Sequence, residues 1–394
     1  MKYNFDMVVE RRGTASEKWD MCDSLFKGEN LLPLWVADMD FPAPPEVIDA
    51  LAARAKHGIF GYTAYTESSR AAVKRWFKTR HSWDIDMEWI LFSPGVVPAL
   101  GILVQAMTSP GDGVIIQRPV YHPFMKMVEA NGRKLLNSPL RQSGTGSYEM
   151  DFDDLRAKAA DPCAKMMILC SPHNPVGRVW RRDELETLTD ICAEKNILIV
   201  SDEIHCDLVY REYTHLPLAT VKPEYGSRII TCTAPSKTFN IAGLQLSNII
   251  IPDENLRKLY RKALMRSGMF EPNSFAATAM EAAYNYGVPW LDGMMEYVRG
   301  NLEFMTELFS KELPEVNVIK PEGTYLAWTD FRKFGIGHGE LLRIFVEEAR
   351  VAPGQGDLYG VEGEGFIRLN LACPRSILEE GLQRVISAFK KFQH

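Results

Sequence analysis

From about residue 85 to residue 250 the chain alternates between two hydrophobic rhythms. Short apolar runs recur as WILFS (89–93), GVIIQ (113–117), KMMILC (165–170), NILIVSD (196–202), RIITCT (228–233) and LSNIII (246–251). Several lack polar alternation, which predicts strands buried on both faces, as in a parallel sheet covered by helices. Between two of them, RRDELETLTDICAEKN (181–196) places Leu185, Leu188, Ile191 and Cys192 on one helical face. Strand–helix alternation of this kind predicts a doubly wound α/β domain.

Past about residue 285 the rhythm changes. A long helical stretch, WLDGMMEYVRGNLEFMTELFSKEL, leads to the short runs VNVIK, TYLAWTD and GFIRLNLA and a terminal helix, ILEEGLQRVISAFKKF. This is an α+β pattern and predicts a smaller second domain. Residues 1–44 carry little sheet signal, and DFPAPPEV reads as a linker with an N-capped helix start. The expected division is a large domain over 45–285 and a small domain made of 1–44 with 286–394.

Composition narrows the function classes. A chain of 394 residues is long for one hydrophobic core. It is 46% hydrophobic and 24% charged, with a formal charge of −6 and no dense basic block. That argues against a nucleic-acid binder, which needs clustered Lys and Arg on one face. The seven cysteines are scattered and include no C-x-x-C pair, so neither a disulfide framework nor a zinc site is expected. His122, His173 and His205 fit no usual metal-ligand spacing, and no metal is expected there. The N-terminal MKYNFDMVVERRG lacks the apolar core of a signal peptide, and no run is long enough to span a bilayer, so a cytoplasmic protein is expected.

The candidate chemistry lies at strand ends, because ligands of open α/β sheets collect outside the carboxyl ends of the strands. KMMILC runs into SPHNPVG and presents Asn174. NILIVSD ends in Asp202, followed by Glu203 and His205. RIITCT leads through Ala-Pro-Ser to Lys237, and WILFS breaks at Gly95 ahead of a helical run. Taken singly, each has an ordinary role: Asn174 can close an Asx-turn, Asp202 can cap, and most lysines are solvated. On successive strands they form a set that suits pyridoxal 5′-phosphate. A lysine amine bonds to its aldehyde, and a carboxylate keeps the pyridine nitrogen protonated. Asn174 can donate to the ring 3-oxygen, and the helix opened by Gly95 offers N–H groups to the phosphate.

Over nearly its whole length the chain resembles fold-type I pyridoxal-phosphate enzymes of the aminotransferase class I/II superfamily. PLWVADMDFPAP, GIFGYT, SPHNPVGRVW, SDEIHCDLVY and PSKTFNIAGLQ are similar to the MalY/PatB branch, the cystathionine β-lyase-like C–S lyases. The resemblance implies a mostly parallel, seven-stranded-type sheet in the large domain. It implies catalytic roles for Lys237, Asp202 and Tyr121, with Tyr121 stacked on the ring. It further implies Gly95, Val96, Val97 and Ser236 as phosphate ligands and His205 beside the cofactor. Arg368, with Asn174, Val36 and Ala37, is implied to meet the substrate. Tyr62 resembles a tyrosine that crosses from a neighbouring subunit to the phosphate, which implies a homodimer with shared active sites.

Two positions depart from the common aminotransferase pattern: His205 replaces a tyrosine, and Gln245 replaces an arginine that helps hold the phosphate. The activity implied is α,β-elimination of cysteine S-conjugates to pyruvate, ammonia and a thiol. The alternatives are transamination of an amino acid, or an added regulatory role through protein binding.

Overall fold

The computed structural model describes residues 3–144 and 146–392. Seven strands build the larger sheet: β1 (Ile90–Ser93), β2 (Gly113–Ile116), β3 (Lys134–Asn137), β4 (Ala164–Cys170), β5 (Leu198–Asp202), β6 (Ile229–Thr233) and β7 (Ser247–Ile250). Their spatial order is β1-β7-β6-β5-β4-β2-β3. Strand β7 runs antiparallel to both its neighbours, and the other pairings are parallel.

The uninterrupted apolar runs are explained by burial on both faces. Val114, Ile116, Met166, Ile168, Leu198 and Val200 join one hydrophobic cluster, while Ile115, Met167, Leu169 and Ile199 join another. Successive side chains of a strand point to opposite faces, so neither face tolerates polar alternation. The predicted strands are present, with ends shifted by a residue or two. The edge strand β3 escaped prediction because KLLN is short and only part-buried.

A second sheet has five strands in the order Leu32–Leu34, Val351–Gln355, Phe366–Asn370, Leu326–Asp330 and Asn317–Ile319. Residues 1–44, which carry little sheet signal, contribute the first of these: Leu32–Leu34 pairs in parallel with Val351–Pro353. Three residues centred on Pro33 are too few to show a period, and proline is tolerated at a sheet edge. Helices Val288–Glu312 and Arg375–Phe392 belong to this part of the chain. The helix after DFPAPP begins at Pro45 without a side-chain cap, so proline geometry rather than a capping oxygen starts it. No helix among the described residues is long and apolar enough to cross a membrane.

For the site, one register matters most. Cys170, Asp202 and Cys232 lie side by side across β4, β5 and β6. The three strands therefore end level, and the loops that follow open into a common crevice.

Candidate active site

A cavity of about 210 Å³ lies at the carboxyl ends of β4, β5 and β6. Its walls include Lys237, Asp202, Asn174, Tyr121, Gly95, Val96, Val97, Ser236, His205 and Ala37. Segments from residue 37 to residue 237 thus converge on one space, although they are far apart along the chain.

Asp202, the last residue of β5, is buried. Its Oδ1 accepts a hydrogen bond from the Ile204 N–H at 3.1 Å. Burial pushes its pKa up to about 7, aided by the neighbouring Glu203 charge and opposed by the Ile204 N–H and by Lys237. A carboxyl so placed needs a cationic partner to be fully ionised. A protonated pyridine nitrogen is such a partner.

Lys237 sits on the four-residue helix Pro235–Thr238, which begins just after β6 ends at Thr233. Its Nζ donates to the Ala37 carbonyl at 2.8 Å. Desolvation lowers its pKa to about 8, with Arg368 acting in the same direction and Asp38 and Asp202 opposing. An amine near that value is available as a nucleophile and as a base close to neutrality.

Two helix starts face the cavity. Gly95 precedes helix Val96–Met107, and Ser93 Oγ donates to the Gly95 carbonyl at 2.9 Å. Unbonded N–H groups at such a terminus favour an anion. Ser236, in the first turn of the lysine helix, adds a hydroxyl to the same wall.

Arg368 is buried on the strand Phe366–Asn370. Its Nη1 donates to Asn174 Oδ1 at 3.1 Å and its Nη2 to the Trp35 carbonyl at 2.6 Å, while Nε is buried without a partner. The guanidinium lies 5.2 Å from the centroid of the Tyr359 ring. Because arginine only donates, the Asn174 atom it meets is the oxygen, and the amide N–H₂ is directed elsewhere. Among the described residues no carboxylate pairs with Arg368. A planar anion arriving from the cavity would satisfy this fork.

Tyr121 lines the cavity, its backbone N–H bonded to the Asn174 carbonyl at 3.0 Å. Burial raises its phenol pKa. His205 is buried against Tyr325, and its Nδ1 has no partner. Desolvation, with Lys237 and Arg368 nearby, pulls its pKa down to about 3, so the ring is neutral.

Three proposed site residues, Arg368, Val36 and Tyr62, are not in the cavity wall; Arg368 adjoins it through its bond to Asn174. The Val36 carbonyl accepts from Asn370 Nδ2 at 2.6 Å. Tyr62 is 113% exposed.

The resemblance named Val36 and Ala37, but not the backbone bonds of the strap to which they belong. The carbonyls of Trp35, Val36, Ala37 and Asp38 accept from Arg368, Asn370, Lys237 and Asn370 respectively. Tyr325 Oη also donates to the Ala37 carbonyl at 2.9 Å. Backbone acceptors carry no side-chain signature, so only WVADMD as a block pointed here.

Comparison with known proteins places this geometry. The family model for aminotransferase class I and II matches residues 29–385. The chain belongs to that family.

It is 47% identical to cystathionine β-lyase PatB of Bacillus subtilis over 98% of this chain and 99% of the relative. It is 38% identical to protein MalY of Escherichia coli, again over 98% and 99%. Among solved structures, cystalysin from Treponema denticola, which contains pyridoxal 5′-phosphate, superposes with a TM-score of 0.97 at 38% identity, covering 100% of both chains. The family member described here is accordingly a pyridoxal-phosphate-dependent enzyme.

Proposed function

We propose that the enzyme is a C–S β-lyase that eliminates thiols from cysteine S-conjugates such as cystathionine, releasing pyruvate and ammonia. The observation that carries this reading is the Lys237 amine, lowered to about 8 and facing the same cavity as Asp202 and Asn174, with Arg368 bonded to Asn174 at its edge. The cystathionine β-lyase and cystalysin relatives support the choice of reaction.

Lys237 would hold the cofactor aldehyde, Asp202 its ring nitrogen, and Asn174 its 3-oxygen. The N–H groups after Gly95, at Val96 and Val97, would hold its phosphate together with Ser236. Tyr121 would cover one ring face, and His205 would sit beside the ring. When bound, the cofactor supplies an electron sink that lets the substrate Cα–H ionise.

The remaining work falls to the chain. Arg368 would grip the substrate α-carboxylate and, with Asn174, hold Cα in one orientation. Lys237 would take the Cα proton, which its lowered pKa permits near neutrality. Ala37 forms part of the wall that would keep water from the reacting atoms.

Tyr62, exposed beside Ile59 and Phe60, supports a homodimer in which this tyrosine reaches the partner's cofactor phosphate. Ile59, Phe60 and Tyr62 are apolar or aromatic and exposed, although Phe60 also meets Phe275 and Arg54, and such an exposed group suits a subunit contact.

The test is incubation of purified, cofactor-supplemented protein with cystathionine. Pyruvate and thiol are expected in equal amounts, and borohydride treatment should add cofactor mass to the Lys237 peptide. A keto acid formed only when an amino acceptor is added, with no thiol, would replace elimination by transamination.

A further inference from the structure

The lysine helix Pro235–Thr238 is four residues long, too short to hold its own orientation. Yet it carries the amine on which the reaction depends. Its last residue, Thr238, is fully buried and points away from solvent into the layer behind the cavity. There Thr238 Oγ1 donates to Asp207 Oδ2 at 2.8 Å.

We propose that Asp207 is a positioning residue for Lys237, acting through the Thr238 hydroxyl. The proposal rests on the cofactor role of Lys237 given above.

Asp207 is itself held from the opposite side. Its Oδ1 accepts from Trp76 Nε1 at 3.0 Å and from His81 Nε2 at 2.7 Å, and Arg80 Nε lies 3.6 Å away. Trp76, Arg80 and His81 share one rigid fifteen-residue helix, Glu67–His81. The carboxylate therefore bolts the short lysine helix to a long one.

Three donors converge on this side chain, and an ionised carboxylate can accept from all of them. Burial pushes the Asp207 pKa up, but the His81 bond, the charges of His81 and Arg80 and the Thr238 bond hold it below the usual carboxylate range. Cys206 adds a third potential metal ligand to His81 and Asp207, all within 4.8 Å. Both Asp207 oxygens are already taken by protein donors, so a holding role fits the geometry better than a metal site.

On the cavity side, Lys237 Nζ reaches the Ala37 carbonyl. The lysine is thus fixed at its backbone by Asp207 and at its amine by the strap. Loosening the backbone end would misplace the amine without removing any group that touches substrate or cofactor.

The experiment compares Thr238→Val and Thr238→Ser holoenzymes by visible absorbance against pH, cofactor dissociation constant, kcat and KM, and melting temperature. Valine removes the hydroxyl at nearly constant volume. It is expected to lower kcat roughly tenfold to a hundredfold, the scale of a small misplacement of a reacting group, with KM little changed. The pH midpoint of the cofactor absorbance should shift, and cofactor should be retained more weakly. Serine, which keeps the hydroxyl, should return these properties towards wild type.

Wild-type spectra and kinetics in Thr238→Val, or a drop in melting temperature alone, would overturn the proposal. Equal impairment of the serine variant would do so as well. If the valine variant does not fold, Thr238→Ala removes the same hydroxyl and carries the same readouts. Wild-type behaviour there would count equally against it. A wild-type protein that takes up no pyridoxal phosphate would instead remove the functional reading on which this rests.

Discussion

Arg368 and Asn174, 194 positions apart, meet through a single hydrogen bond from Nη1 to Oδ1 at 3.1 Å. The arginine comes from the five-stranded sheet and the asparagine from the loop after β4 of the seven-stranded one. The bond turns the asparagine amide donor away from the arginine, and the arginine retains an unpaired Nε. One contact therefore fixes both side chains, in an arrangement that would suit a carboxylate at the arginine and an acceptor at the amide.

Arg368→Lys should test that arrangement. A lysine offers a point charge in place of a planar fork and cannot reproduce the bidentate grip. Loss of charge-assisted hydrogen bonds worth roughly 3 kcal/mol predicts about a hundredfold lower kcat/KM, mostly through KM. Steady-state kinetics with cystathionine measures it. An unchanged KM would place the α-carboxylate elsewhere.

Asp202→Asn separates stability from function. The wild-type carboxyl is pushed up to about 7 by burial, so a neutral amide of the same shape should suit the cofactor-free protein at least as well at neutral pH. The variant is expected to melt no lower than wild type without cofactor. It should lose about a hundredfold or more of kcat with cofactor, the scale seen when a preorganised electrostatic group is removed.

The two shifted groups predict opposite pH trends in the cofactor-free chain. Asp202, raised to about 7 from 3.8, binds its proton more tightly when folded, so its contribution to stability falls as pH rises from about 4 to 7. Lys237, lowered to about 8 from 10.5, binds its proton less tightly when folded, so its contribution rises from about pH 8 to 10.5. Urea midpoints of wild type minus Asp202→Asn should show the first slope, and wild type minus Lys237→Met the second. A difference curve that is flat across either window rejects the corresponding shift.

Tyr62 allows a test of shared sites. Subunits carrying Lys237→Ala mixed with subunits carrying Tyr62→Ala should form hybrid dimers with one intact site. Activity should recover to about a quarter of wild type, since half the dimers are hybrids and each has one good site of two. No recovery after subunit exchange, verified by mass spectrometry, would confine each site to one chain.

Much of the site was legible along the chain because its residues follow buried strands. Asp202 and Lys237 could be located from NILIVSD and RIITCT alone, since a strand end in a parallel sheet is where ligands gather. Arg368 was less accessible: GFIRLN reads as an ordinary strand, and only the family pattern singled out its arginine. Asp207 went unread because an acid near a strand end has many ordinary roles. Its meaning depends on Thr238, Trp76 and His81, contributed by separate elements.

Taken alone, the order of residues determined which segments are buried strands, where they end, and which side chains wait at those ends. Those properties follow from local periodicity, which backbone geometry imposes over a few residues. Only the folded chain decided that Ala37 carries the carbonyl Lys237 meets, that Trp35 and Asn174 share Arg368, and that Asp207 holds the lysine helix from behind. These are contacts between distant segments, and their partners are backbone carbonyls or generic polar groups. Such atoms leave no periodic mark, so packing alone selects them.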